Sequence, residues 1–271
     1  MRRLAAFAVL LAVLGSGPAR AATVKPRPLR VMSMNLCADQ LVLALLPPER
    51  IASVSWLARD RSLSLMAKAA AGVPVNRGTA EEVVRQRPDL VLTGSFPRPA
   101  VAELLARVGV PVLAVDHASD YATIRRITRQ VAVAVGATRR GEALIARMDA
   151  QLAAAAHRPV RRRVAVWGGD GIGGGTGSLL GAMIASVGAT DVGSAATHRG
   201  VEGLLRADPD LLLVSEARRP DRRADVRQHP VVRARWGKRT VRFPAVWHGC
   251  GTPMVGAGVA ALSVALRAAP R

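Results

Sequence analysis

Short apolar runs alternate with amphipathic stretches along most of the chain. The apolar runs predict buried strands at residues 51–54, 89–92 and 111–115. The amphipathic stretches between them predict helices at residues 36–45, 81–86 and 101–108. Strands that alternate with helices pair in parallel, so the pattern predicts a layered α/β fold.

The middle of the chain is predicted to be helical. Apolar residues recur at helical spacing over 124–135, and a second helix is predicted over 142–156, where neither proline nor glycine interrupts the sequence. The strand–helix alternation then restarts at 164–167. We therefore expect two similar lobes with mainly parallel sheets, joined by a stiff α-helix, with a ligand cleft between the lobes. The expected boundaries are a signal peptide at 1–21, an N-terminal lobe at 22–136, a linking helix at 137–157 and a C-terminal lobe at 158–271.

An internal repeat supports this division. The segment 81–99 aligns without a gap on the segment 202–220. The two copies share a glutamate (Glu81 and Glu202) and a Pro-Asp-Leu sequence that opens a buried strand. Because proline stops the preceding helix in each copy, both copies encode the same helix–strand unit, which indicates a duplication.

The N-terminus predicts export. Arg2 and Arg3 precede an apolar run at residues 4–14. Ala19-Arg20-Ala21 follows and has the small residues of an A-x-A cleavage site. This is the three-part pattern of a secretory signal peptide, and the run is too short to span a bilayer. Since no cysteine lies at the cleavage site, we expect a soluble periplasmic product without a lipid anchor.

The chain is strongly basic, with a formal net charge of +20 over 271 residues. Such a charge is typical of nucleic-acid binding. However, the basic residues are mostly arginines scattered through predicted helices, and the cluster at 161–163 leads directly into a strand. We therefore expect no nucleic-acid partner, and we interpret the charge as a solvated basic surface or an attraction for an anionic ligand.

Aromatic residues are scarce, yet they follow the predicted strands. In α/β sheets, ligands bind beyond the carboxyl ends of parallel strands. Flat, rigid side chains at these ends suit a bulky, partly apolar ligand, and nearby arginines suit its carboxylate or phosphate groups. The candidate ligand-binding residues are Trp56, Arg59, Phe96, Arg98, Trp167 and Trp247.

The export signal, the SMNLCADQL start, the Glu segments repeated in both lobes and the central helix resemble the class III periplasmic binding proteins of ABC importers. This family binds vitamin B12 or ferric siderophores. The resemblance implies that the protein is not an enzyme, needs no cofactor, acts as a monomer, and carries a corrinoid, a ferric siderophore or heme to a dimeric permease. It further implies that Glu81 and Glu202, one per lobe, dock onto permease arginines.

Cys37 and Cys250 depart from the general pattern of this family. Two cysteines in an exported protein favour a disulfide, but two free thiols are the alternative. A third interpretation is a soft-metal site that combines both cysteines with His248 and either Met34 or His198.

Two other functions compete with this interpretation. A dinucleotide-binding enzyme is suggested by Gly169-x-Gly171-x-x-Gly174, with Asp191 further on, although we expect the residues before Asp191 to end a helix rather than a strand. A metal-ion-binding protein of the same two-lobed class would use histidines such as His117 and His198. Neither a G-x-S-x-G nor an H-E-x-x-H motif occurs in the sequence.

Overall fold

The structure is a computed structural model that describes residues 30–95, 99–168, 171–172, 175, 177–193, 200–216 and 228–270. Its strands are β1 Val31–Ser33, β2 Ile51–Ser55, β3 Val75–Asn76, β4 Leu90–Gly94, β5 Val112–Val115, β6 Arg163–Gly168, β7 Gly171–Ile172, β8 Thr190–Asp191, β9 Leu211–Glu216 and β10 Thr240–Pro244. Its helices are α1 Leu36–Leu45, α2 Ala67–Ala70, α3 Ala80–Gln86, α4 Pro99–Val108, α5 Tyr121–Ala134, α6 Thr138–Ala156, α7 Leu179–Ser186, α8 Val201–Ala207, α9 Pro230–Trp236 and α10 Val255–Ala268.

The strands form two separate sheets, which confirms the predicted α/β class. The first sheet is parallel throughout, in the order β3-β2-β1-β4-β5. In the second sheet, β10, β9 and β6 are parallel neighbours, β8 pairs in parallel with the start of β6, and β7 pairs antiparallel with its end. The antiparallel strand β7 is a feature that the sequence pattern does not predict.

The internal repeat has the same place in both sheets. The order β2-β1-β4-β5 in the first sheet corresponds to β8-β6-β9-β10 in the second. Helix α3 precedes β4, and helix α8 precedes β9, as the aligned sequence segments predict. The C-cap of each helix is a non-glycine residue in the left-handed region, Arg87 at φ 45° and Asp208 at φ 39°. The two lobes are therefore built on one repeated plan.

Helices α5, α6 and α10 join the two sheets. Helix α6 contains 19 residues and packs against α5 on one side and α10 on another. Ion pairs link α5 to α6, with Arg125 at 2.7 Å from Asp149 and Arg129 at 2.8 Å from Glu142. One buried apolar cluster continues from the first sheet through these helices into the second. The helical region is thus part of the core of both lobes.

The last helix begins shortly after a Thr-Pro pair. Thr252 and Pro253 have the pattern of a helix start, but α10 begins at Val255. The segment before it forms a turn, in which the Thr252 N–H donates to the carbonyl oxygen of Cys250. Gly251 lies against the N-terminal lobe, since a Cβ atom built on it would clash with Ala118. This contact leaves no room for a side chain at position 251.

Candidate functional site

The carboxyl ends of β1, β2, β3 and β4 surround a cavity of about 230 Å³ at one edge of the first sheet. Parallel strands place their carboxyl ends at the same edge, and this edge is where α/β proteins bind ligands. The described residues that line the cavity are Met34, Asn35, Ser55, Trp56, Leu57, Arg77, Gly78, Thr93, Gly94 and Val101. The cavity therefore combines polar groups with an aromatic and aliphatic wall.

Trp56 lies at this cavity, directly after β2. It begins a short 3-10 turn, Trp56–Arg59, and 46% of its surface is exposed. Exposure of so large an apolar side chain next to a concave site is typical of a ligand-binding surface. The role of Trp56 in binding stays a prediction.

The Arg59 side chain makes hydrogen bonds to the backbone of its own lobe. Its guanidinium donates to the carbonyl oxygen of Val73 at 2.7 Å and to that of Ala70 at 3.2 Å. These bonds attach the 3-10 turn that carries Trp56 to the end of α2. The structure therefore gives Arg59 a positioning contact, while a direct contact with ligand stays a prediction. Phe96 and Arg98 lie outside the described residues.

Trp167 and Trp247 lie at the corresponding edge of the second sheet. Trp167 is the penultimate residue of β6, and Trp247 ends the 3-10 turn that follows β10. Both are half-buried: Trp167 packs on a small apolar cluster around Leu204, and Trp247 packs on the main core. The structure places both residues at strand ends, as the sequence predicts, and their binding role is untested.

Cys37 and Cys250 form a disulfide that connects the two lobes. The sulfur atoms are 2.12 Å apart, and the Cα atoms are 5.2 Å apart. Cys37 lies in the first turn of α1, and Cys250 lies in the segment between β10 and α10. Because both sulfur atoms are used in this bond, neither is available as a thiolate ligand for a soft metal. His198, another candidate ligand, lies outside the described residues.

His248 lies two residues from the disulfide on the C-terminal side of the cleft. Its Nε2 atom is 3.1 Å from the Ser215 hydroxyl at the end of β9, and its ring stacks on Phe243 with centroids 6.2 Å apart. Burial lowers the pKa of His248, so the ring is neutral at pH 7. In the described part of the chain, no group of three or more histidine, cysteine and acidic side chains is placed to hold a metal ion.

A buried carboxyl group lies behind the cavity, and the sequence pattern does not predict it. Asp39 belongs to the first turn of α1 and has no exposed surface. Its carboxylate accepts from the Ser55 hydroxyl at 2.5 Å and from the Ser55 N–H at 3.1 Å. Burial raises the pKa of Asp39 to about 7, although these hydrogen bonds act in the opposite direction. An acidic residue inside an apolar helix face is the only sequence signal of this group.

Glu81 and Glu202 occupy equivalent places in the two lobes. Each is the second residue of its helix, α3 or α8, and each is exposed. Hydrogen bonds from its own backbone N–H and from Thr79 lower the pKa of Glu81, so its carboxylate is charged at neutral pH. The structure therefore presents one acidic group on each lobe, and docking through these groups stays a prediction. Within the described ranges, no helix combines the length and the apolar character that crossing a membrane requires.

Comparisons with known proteins show a family and a fold. The family model described as "Periplasmic binding protein" matches residues 31–235. The periplasmic heme-binding protein RhuT from Roseiflexus sp. RS-1 is similar, with a TM-score of 0.68 and 22% identity over 88% of this chain and 97% of that chain. No curated protein matches this sequence at a significant level.

Two further solved structures share the fold. The vitamin B12 binding protein BtuF of Vibrio cholerae has a TM-score of 0.62 and 15% identity, covering 89% of this chain and 97% of that chain. An ABC-type Fe3+-hydroxamate transport system protein from Saccharomonospora viridis DSM 43017 has a TM-score of 0.66 and 20% identity, covering 90% and 95%. At these identities the similarity establishes a common two-lobed architecture.

Proposed function

Because this chain belongs to the periplasmic binding protein family, we propose that it is the substrate-binding component of an ABC importer and that it captures a bulky metal chelate. The resemblance stated from the sequence is thereby confirmed at the level of the family. The proposed substrate is a corrinoid, a ferric siderophore or heme, since proteins of the same fold have been named for each of these ligand classes. The signal peptide at 1–21 lies outside the described residues, and export to the periplasm is part of the proposal.

The cavity at the carboxyl edge of the first sheet carries this proposal. It lies on the side where the disulfide holds the second lobe close, and Trp56 offers an exposed flat surface there. An aromatic wall beside a few polar groups is typical of a site that binds a partly apolar ligand and fixes its orientation. Capture requires no chemical step, because binding and release are sufficient for transport.

The connection between the lobes favours a cleft that changes little on binding. Helix α6 and the Cys37–Cys250 disulfide link the lobes at two places. The Tyr121 hydroxyl adds a hydrogen bond to the Ser186 hydroxyl at 2.9 Å between α5 and α7. A largely preformed cleft reduces the ordering cost of binding. We propose that the loaded protein then docks as a monomer on a permease dimer through Glu81 and Glu202.

Ligand-induced thermal stabilisation of the purified mature protein tests this function. The ligands are cobalamin, cobinamide, several ferric siderophores, heme, divalent metal ions and dinucleotides. A ligand at one hundred times its dissociation constant stabilises the fold by about 2.7 kcal/mol, which gives a measurable rise in Tm. A rise with a chelate supports the proposal and identifies the substrate. A rise with bare metal ions alone indicates metal-ion capture, and a rise with dinucleotides alone indicates an enzyme; either result would overturn chelate capture.

A further inference from the structure

Thr93 belongs to the wall of the cavity, and its hydroxyl group is buried without a partner among the described residues. The residue lies at the carboxyl end of β4, and only 3% of its surface is exposed. Its Oγ1 atom makes no hydrogen bond to any described residue. A buried hydroxyl without a partner is costly, so such a group in the wall of a cavity indicates a partner that arrives with the ligand.

Asn35 presents a second donor at the same place. Its Oδ1 atom caps α1 by accepting from the N–H groups of Cys37 at 2.9 Å and Ala38 at 3.2 Å. The cap turns the Nδ2 atom toward β4, where a Cβ atom built on Gly94 would lie only 2.9 Å away from it. Glycine at position 94 therefore leaves the space that the Asn35 amide needs. In the described part of the chain, this amide donates no hydrogen bond to protein.

The charge around these donors favours an anionic group. The N-terminus of the ten-residue helix α1 faces the cavity through its cap, and the first turn of a helix carries partial positive charge. Arg77 lines the same cavity and is exposed. Asp39 lies on the far side of Ser55 and, because burial raises its pKa to about 7, carries only part of a negative charge at neutral pH.

The volume of the cavity limits what it holds. The cavity measures about 230 Å³, which is below the roughly 300–1,000 Å³ of pockets that bury a drug-sized ligand. The space therefore suits a side arm of a ligand. Trp56 stands at the edge of this space and offers a surface for the larger, apolar part of the same molecule.

We infer that Thr93 and Asn35 form a subsite that binds a carboxylate side arm of the transported chelate, with one hydrogen bond from the Thr93 hydroxyl and one from the Asn35 amide. The inference rests on the proposed function and narrows it, because it selects carboxylate-bearing chelates over neutral ones. It also assigns a role to Gly94, whose missing side chain allows the carboxylate and the amide to meet.

Matched ligand pairs test the subsite. Each pair differs in whether a carboxylate is free or blocked: heme and its dimethyl ester, dicyanocobyric acid and dicyanocobinamide, and N-succinyl ferrioxamine B and its methyl ester. The recognised pair is the one whose members bind the wild-type protein. In that pair, two charge-assisted hydrogen bonds predict that the free acid binds more than about tenfold tighter than the blocked ligand. Thr93→Val, which keeps the side-chain shape, and Asn35→Asp, which keeps the helix cap, are each expected to remove this preference. Both variants are expected to retain measurable binding of the blocked ligand.

Two further variants act as controls. Thr93→Ser keeps the hydroxyl group and is expected to keep the preference for the acid. Thr128→Val removes a buried hydroxyl on α5, which donates to Ile124 away from the cavity, and is expected to change nothing. Equal binding of both members of the recognised pair, or a preference that survives in Thr93→Val, would overturn the subsite and leave chelate capture intact. Failure of all six ligands to bind the wild-type protein would overturn chelate capture itself.

Discussion

The carboxylate of Asp89 accepts the backbone N–H of Arg30 at 2.9 Å. The Arg30 guanidinium in turn donates to the carbonyl oxygen of Gln86, the last residue of α3, at 3.0 Å. Arg30 immediately precedes β1 and Asp89 immediately precedes β4, so this pair ties the starts of two adjacent strands to the end of a helix. Free carbonyl groups at the end of a helix need such donors.

The second lobe repeats this arrangement with another arginine and another aspartate. The Asp210 carboxylate accepts the backbone N–H of Arg163 at 2.8 Å, and the Arg163 guanidinium donates to the carbonyl oxygen of Ala207 at 2.8 Å. Asp210 aligns with Asp89 in the internal repeat. The duplication has thus preserved a clamp that ends one helix and sets the register of two strands in each lobe.

Removal of either clamp is expected to weaken the fold. Asp89→Ala and Asp210→Ala each delete an acceptor for a backbone N–H, and we expect each to lower the free energy of unfolding by about 1 kcal/mol. The two sites share no partner, so the effects should add in the double variant. Urea denaturation measures both quantities. Glu103→Ala, which removes an exposed carboxylate on α4, is the matched control and should lie close to wild type. A double variant as stable as wild type would contradict the structural role of the clamps.

The Cys37–Cys250 disulfide is expected to contribute strongly to stability, because it closes a loop with a sequence separation of 213. Restriction of the unfolded chain by so long a loop predicts a loss of about 3–5 kcal/mol on its removal. Denaturation with and without reductant measures this loss. The variant that replaces both cysteines by alanine should match the reduced protein and should not respond to reductant. An oxidised wild type no more stable than this variant would contradict the prediction.

The buried carboxyl group of Asp39 predicts a dependence of stability on pH. Burial raises the pKa of Asp39 in the folded protein to about 7 from 3.8. Between these values the folded state holds a proton that the unfolded state has lost, so the contribution of Asp39 to stability falls as pH rises from about 4 to about 7. The slope from one group is at most about 1.4 kcal/mol per pH unit.

Asp39→Asn isolates this contribution. The asparagine retains an oxygen acceptor for the Ser55 N–H, and it does not ionise. We expect the variant to lose stability less steeply than wild type between pH 5 and pH 8, and to exceed wild type at pH 8. Thermal melting across this range gives the difference directly. Parallel pH profiles for the two proteins would show that the Asp39 pKa is close to its ordinary value.

A variant of Glu81 and Glu202 is expected to lose uptake of the ligand while it keeps its affinity for the ligand. Replacement of both by glutamine removes one charge from each lobe and leaves the cavity unchanged, since neither residue lines it. We expect transport in cells to fall strongly, while affinity for the identified ligand stays within about twofold of wild type. The pair Glu49→Gln and Glu103→Gln, which removes the same charge at two other exposed positions, is the control for uptake. A parallel loss of affinity in the Glu81 and Glu202 variant would refute a docking role.

Local patterns predicted most of the elements that position the site. The helix expected at 36–45 is α1, because Asn35 is a strong cap and the two prolines at 47–48 end the helix. The repeated Glu and Pro-Asp segments predicted two related sheets for the same reason, since periodicity and proline placement are local properties. The two-residue strands β3 and β8 were not predicted, because so short a segment shows no alternation of apolar and polar residues. Each becomes a strand only by pairing with a longer strand, β2 or β6.

The sequence by itself determined the layered α/β fold, the duplication and the order of the elements, because each depends on residues close together in the chain. The tertiary structure alone decided which distant residues meet. It brought Cys37 to Cys250 across 213 positions, and it set the amide of Asn35 beside Gly94 in the cavity that Thr93 lines. The physical reason is that burial and hydrogen bonding depend on distances in space, which parallel strands set by joining segments that are far apart in the chain.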